Sequence, residues 1–181
     1  VILTDYELVE NPETGVFRKD DEQNPCPICG SLLKVIGSRR RCYFQDNGER
    51  RVLMIRRLRC SSCNRIHHEL PDLLVPYKRY ESQSIEAAVT GSAALTVAAD
   101  EATISRWKQW FSDMAGYFAG VLISIATRYN KSVEGVSALP QSSLQRIWHF
   151  VGDAPRWLAR VVRPVANANY WVQTRSAFMS G

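Results

Sequence analysis

The sequence predicts an α+β chain, with strands up to Val75 and helices from Ser82 onward. Three observations predict it. Two Cys-x-x-Cys pairs, Cys26/Cys29 and Cys60/Cys63, bracket a β-prone stretch. Between them Asp46-Asn47-Gly48-Glu49 carries a turn signature flanked by strand-like sequence. At Ser82 the apolar residues change from loose alternation to steps of three and four, the spacing of a helix face.

The cysteine pairs come first. Four thiolates in two Cys-x-x-Cys turns are the donor set of one tetrahedral zinc. Gly30 and Asn64 follow the second cysteine of each pair. They are residue types that readily take positive φ, the twist a knuckle needs to aim amide N–H groups at sulfur. Cys26, Cys29, Cys60 and Cys63 are therefore expected to hold one structural Zn2+. Redox dithiols fit less well, because such motifs normally sit singly in a βαβ unit and none is visible. The pairs stand about 30 residues apart, beyond the usual 15–20 of compact sites. The excess reads as a β arm: Leu32–Ile36 and Cys42–Gln45 run out and Arg51–Arg59 returns. Cys42, mid-arm, is expected to be a small buried residue. His67 and His68 are expected to be structural, since four thiolates close a zinc shell.

The N-terminal zinc ribbon is assigned to residues 23–75, after an acidic segment over 1–22. That segment carries Asp5, Glu7, Glu10, Glu13, Asp20, Asp21 and Glu22 against Arg18 and Lys19. It is either a partly disordered leader or, through Ile2-Leu3 and Tyr6-Leu8-Val9, a short strand on the ribbon's sheet. The linker is 76–81, and a helical domain fills 82–181.

Charge is located in the arm. The chain carries a net +5, with a pI near 9.1, but Lys34–Arg65 alone holds ten cations against Asp46 and Glu49. Guanidinium groups bind phosphate oxygens and release condensed counterions, so Arg39, Arg40, Arg41, Arg56, Arg57 and Arg59 are expected to grip a nucleic-acid backbone. Charged edge strands that deter aggregation are the plainer alternative. In the linker, Lys78 and Arg79 lie between Tyr77 and Tyr80. They would follow a DNA backbone, or the tyrosines would dock the linker on its neighbour.

In the helical part, Ser84 can cap a helix over Ile85–Val89, and small residues over Gly91–Ala99 allow a second short one. Asp100 reads as the N-cap of a third. This order is that of a helix-turn-helix over about 84–112. Thr103, Ser105, Arg106 and Lys108 would then face the major groove, with Ile104, Trp107 and Phe111 turned inward. The apolar stripe continues through Met114, Phe118 and Ile125 to Tyr129, predicting one long helix. Its apolar second half needs cover from helices over Leu144–Val151, Arg156–Val162 and Val165–Met179, with Pro164 breaking the last two apart. Met114–Thr127 is apolar over only about 14 residues, short of the roughly 20 that span a bilayer. No export leader is read at the start, so no membrane is expected and the location is expected to be cytoplasmic.

The segments CPICG, RRLRCSSCNRIHHELPDLLVPYKRY, TISRWKQWF and NANYWVQTRSAFMSG resemble an uncharacterised family of bacterial zinc-ribbon proteins associated with mobile genetic elements. That similarity covers most of the chain. The sequence up to Phe111 is also similar to the N-terminal zinc-ribbon and helix-turn-helix part of insertion-sequence transposases. The resemblance implies the four cysteines as zinc ligands and Thr103, Ser105 and Arg106 as a recognition face. It further implies double-stranded DNA, a DDE-type transposase or other recombinase as partners, and a bacterial, nucleoid-associated setting. A transposase would continue into an RNase H-like domain with an acidic triad. After Asp113 the acids are Glu134 and Asp153, so a non-catalytic accessory is expected. A protein–protein adaptor with a purely structural ribbon and a regulator of the element's transcription are the alternatives. In any of these readings the aromatic C-terminal helices offer a surface for a homo-oligomer.

Overall fold

The computed structural model describes residues 2–4, 7–11, 15–19, 25–91, 97–129 and 142–171. Among them six strands precede four helices: β1 (Ile2–Thr4), β2 (Glu7–Asn11), β3 (Gly15–Lys19), β4 (Leu33–Phe44), β5 (Arg50–Cys60), β6 (Ile66–Pro71), α1 (Ser82–Thr90), α2 (Glu101–Arg128), α3 (Ser143–Val151) and α4 (Trp157–Asn167). The α+β class holds.

The β4–β5 hairpin is the arm the sequence announces. Its register runs from Leu33 opposite Cys60 to Phe44 opposite Arg50, with an irregularity between Val35 and Gly37. Gly48 in the turn has φ 82°, and a Cβ there would fall 2.6 Å from that of Ala98. The Ala98 N–H also donates to the Asp46 carbonyl (3.1 Å). The hairpin tip is thus seated against the segment that leads into α2.

On its other side β5 shares its length between two strands. β6 pairs antiparallel at Arg57–Arg59, and β3 pairs parallel at Leu53 and Met54. β2 closes a hairpin onto β3, and β1 lies parallel to β6. The strand expected from Ile2-Leu3 therefore joins the sheet, with both residues buried. Asn167 of α4 completes it: the Leu3 N–H donates to its Oδ1 and its Nδ2 donates to the Leu3 carbonyl, both at 2.8 Å.

Asp100 caps α2 as its position predicts, accepting the Thr103 N–H at 2.6 Å. The helix runs unbroken to Arg128, with its apolar stripe buried from Trp107 to Leu122. Phe111 meets Trp157 at 5.3 Å between ring centroids, and Phe118 stacks on Trp171 at 5.7 Å. Phe44, Tyr80 and Trp107 form a stack from hairpin through linker to helix, with centroid separations of 5.0 and 4.8 Å. One apolar cluster accordingly joins Leu3, Tyr43, Leu53, Ile55 and Leu70 of the sheet to the helices.

Two expectations for the last helices are corrected. Pro164 does not separate them; it lies inside α4. One ladder bond is given up there, and Val161, Val162 and Val165, each fully buried, hold the helix through it. Nor is Arg156 the first helical residue: it sits at φ 69°, and α4 begins at Trp157. Its start is set by Glu86 of α1, which accepts N–H bonds from Arg156 (2.9 Å) and Leu158 (2.8 Å). The second short helix expected over Gly91–Ala99 falls largely on residues 92–96, outside the described residues. So does most of the helix expected over Val165–Met179.

Candidate metal centre and basic face

The two knuckles form as their followers predict. Gly30 has φ 75° and Asn64 φ 57°. The first turn closes through the Gly30 N–H to the Cys26 carbonyl (2.8 Å), the second through the Cys60 N–H to the Arg65 carbonyl (3.0 Å). The N–H groups of Ser62 and Cys63 both reach the Cys60 sulfur at 3.4 Å. β5 delivers Cys60 directly, and the β4–β5 register brings the first knuckle across to it.

The Sγ atoms of Cys26, Cys29, Cys60 and Cys63 all lie within 4.8 Å of one another. Cys26 to Cys63 is 3.7 Å and Cys29 to Cys60 is 3.4 Å. Tetrahedral zinc at Zn–S of about 2.3 Å would separate its sulfurs by about 3.8 Å, so the donor set fits such an ion. Acid–base chemistry points the same way. Hydrogen bonds from Ser31, side chain and then backbone, with a lesser one from Cys60, draw the Cys29 thiol down to about 6. The Arg65 backbone bond works to lower Cys63, yet burial and the thiols of Cys60, Cys26 and Cys29 push it up to about 11. Four thiols this close do not ionise together without a cation among them. The cluster could hold a metal ion.

His67, expected to be structural, borders the centre directly. It is 5 % exposed, with Nε2 3.4 Å from the Cys26 sulfur. Burial holds its pKa below the usual imidazole value, so the ring is neutral and able to donate to a thiolate. The register of β6 sets it opposite Leu58, on the face of the sheet that Cys60 shares.

The cationic residues divide by strand parity. Arg39 and Arg41 lie opposite Ile55 and Leu53, and Arg57 lies opposite His68 on β6, which places them on one face. Arg40 and Arg56 fall on the other. Arg56 is engaged there: its Nε and Nη2 donate to the Glu69 carboxylate at 2.6 and 3.1 Å, and Glu69 is buried. Arg59 is exposed near the knuckles, opposite Lys34 and Ile66. Cys42 is half-buried, and its sulfur accepts from Arg50 Nη2 at 3.2 Å, so it is not the sealed core residue expected.

The linker carries the basic face across to α2. Arg41 Nη2 donates to the Lys78 carbonyl at 2.7 Å, and Lys78 Nζ sits 4.6 Å from the centroid of the Trp110 ring. Burial first, then Arg106, brings the Lys78 ammonium down to about 8. Burial, Arg39 and Arg79 lower Arg41, and burial followed by Arg39 leads the lowering of His68. Arg79 is exposed, as are Ser105, Arg106 and Lys108. Thr103 is half-buried and occupied: its Oγ1 donates to Asp100 Oδ2 and accepts from Arg106 Nη2.

Fold and site together define an α+β chain with a four-thiol knuckle pair at one end of a basic β arm. A family model described as Domain of unknown function (DUF6431) matches residues 26–107, from the first thiol of the cluster to the Trp107 that meets Tyr80. No curated protein and no solved structure matches the chain.

Proposed function

We propose that this protein is a non-catalytic, zinc-dependent DNA-binding accessory of a mobile genetic element, which recognises element-end or target DNA and recruits a separate recombinase. The observation that carries the reading is the run of cations from Arg57 and Arg39 through Arg41, Arg79 and Lys78 to Arg106. It crosses sheet, linker and helix, and two of its members are lowered by burial and then by their neighbours: Arg41 by Arg39 and Arg79, Lys78 by Arg106. Such a run suits the phosphates of a duplex, whose bound counterions it would release. Cys26, Cys29, Cys60 and Cys63 would hold zinc, which supplies a fixed crosslink between the knuckles. Ser105, Arg106 and Lys108, on the exposed side of the first turns of α2, would approach the bases, with α1 as the other helix of a helix-turn-helix.

The test is fluorescence anisotropy with duplexes from the element's ends across a salt series. Affinity should fall steeply with salt, and Arg39→Ala with Arg57→Ala should flatten the slope by about 1–2 units. Duplex affinity that is absent, or indifferent to salt, would overturn the reading.

A further inference from the structure

The outer edge of β4 is a second candidate surface, and it does not depend on duplex binding. Among the described residues β4 pairs with β5 alone, apart from its last residue. At that residue the edge already takes an extended segment. The Phe44 N–H donates to the Arg79 carbonyl (2.7 Å) and the Glu81 N–H donates to the Phe44 carbonyl (3.2 Å), forming a parallel bridge with Tyr80. Tyr77, at φ 66°, then turns the linker away. Strand alternation directs the amides and carbonyls of Cys42, Arg40 and Ser38 the same way as those of Phe44. Among the described residues no strand meets them.

The side chains along this edge are of two kinds. Leu32 (65 %), Val35 (56 %) and Ile36 (39 %) are exposed aliphatics, and Ile28 (49 %) and Ile66 (43 %) are exposed at the same end. Five of the seven large hydrophobic residues exposed among the described residues are therefore gathered near the knuckles. Beside them stand Lys34, Arg39, Arg40 and Arg59, and residues 25–41 and 56–68 contain no acid. Charge and a bulge are the usual protection of an edge strand, but protection does not leave bare aliphatics beside the open backbone. Backbone bonds with pockets for alternate side chains are how sheet edges capture extended peptides. A second copy of β4 would set cation against cation, which cross-strand pairing disfavours.

We propose that the edge of β4 between Leu33 and Arg41 takes an extended segment of a partner protein, acidic and aliphatic in alternation, as an added strand. The aliphatic side chains would pack beside Val35 on one face, and the acids would meet Lys34 and Arg39 on the other.

The full chain is titrated into a labelled ten-residue peptide alternating Glu with Val, into one of the same composition with its acids in a single block, and into oligo-glutamate. The alternating peptide should bind saturably and slow amide exchange at Ser38, Arg40 and Cys42. Lys34→Glu with Val35→Glu should weaken it by about tenfold or more, and Val35→Lys, which keeps the charge but not the aliphatic surface, should weaken it less. Equal affinity for all three peptides, indifference to these variants, or no saturation by millimolar concentrations would overturn the proposal. Phosphatidylserine vesicles bound with the same variant sensitivity in place of the peptide would assign the edge to a lipid surface. A solution dimer lost on Val35→Glu would assign it to a second copy. Either result overturns the proposal.

Discussion

Arg56 and Arg57 are neighbours in sequence with opposite situations, and the difference decides what each can do. Arg56 meets a Glu69 side chain that is 2 % exposed, at 2.6 Å, whereas Arg57 lies with Arg39 and His68 on the basic face. Arg56→Ala should therefore lower stability by about 3 kcal/mol, the scale for stranding a buried charge, and urea denaturation would measure it. The same variant should leave the salt slope of the proposed DNA binding nearly unchanged. Lys78 supplies the second prediction at this scale. Its ammonium titrates near 8, so raising the pH from 7 to 9 removes one cation from the face. The salt slope should shrink by about one unit over that range in the native chain and not in Lys78→Met. The alternation of RVLMIRRLR already put the two arginines on opposite faces. Which face carried an acid was not legible, because Glu69 arrives on a strand whose register is set by tertiary pairing.

At the level of elements, much of the local chemistry was readable where the signal and its partner lie close in sequence, although Ser84 does not cap α1, which begins at Ser82. The knuckles, the turn at Gly48 and the Asp100 cap all formed where their residues stand. Pro164 and the start of α4 were misread because their determinants are distant. Apolar burial on β1, α1 and α2 carries α4 through its proline, and an acid on α1 fixes the helix start. That acid yields a pH-dependent prediction. Burial raises the Glu86 pKa, against the lowering effect of the Leu158 and Arg156 amides. The folded chain thus binds this proton more tightly than the unfolded chain does. Its contribution to stability is fully present below the ordinary carboxylate range and is lost as pH rises through the elevated value. Melting temperatures of native and Glu86→Gln chains from pH 4 to 7 should show that decline in the native chain and not in the variant. At neutral pH Glu86→Ala, which removes both N–H acceptors, should cost about 1–3 kcal/mol.

For the whole molecule, the change of secondary structure at the linker is not a break in the core. Tyr43, Leu53, Ile55 and Leu70 share one apolar cluster with Trp107, Phe111 and Phe118, and Phe44, Tyr80 and Trp107 stack across the junction. Periodicity marks where strands give way to helices but says nothing of which faces meet, so this continuity was not legible in the sequence. It bears on what removal of the proposed ion from the four-thiol cluster would do. Small zinc modules generally unfold without their ion because the ion stands in for a core. Here the sheet residues that reach the shared core lie toward the hairpin tip and the β6 end, while the knuckle end carries the exposed Ile28, Leu32 and Val35. Chelation should therefore loosen one end of the sheet and spare the rest. Hydrogen exchange after treatment with a chelator should accelerate over residues 26–36 and 58–66 and stay slow over 107–122, with little loss of helical circular dichroism. Acceleration in α2 equal to that in the knuckles would mean that the ion, rather than the aromatic core, holds the two halves together.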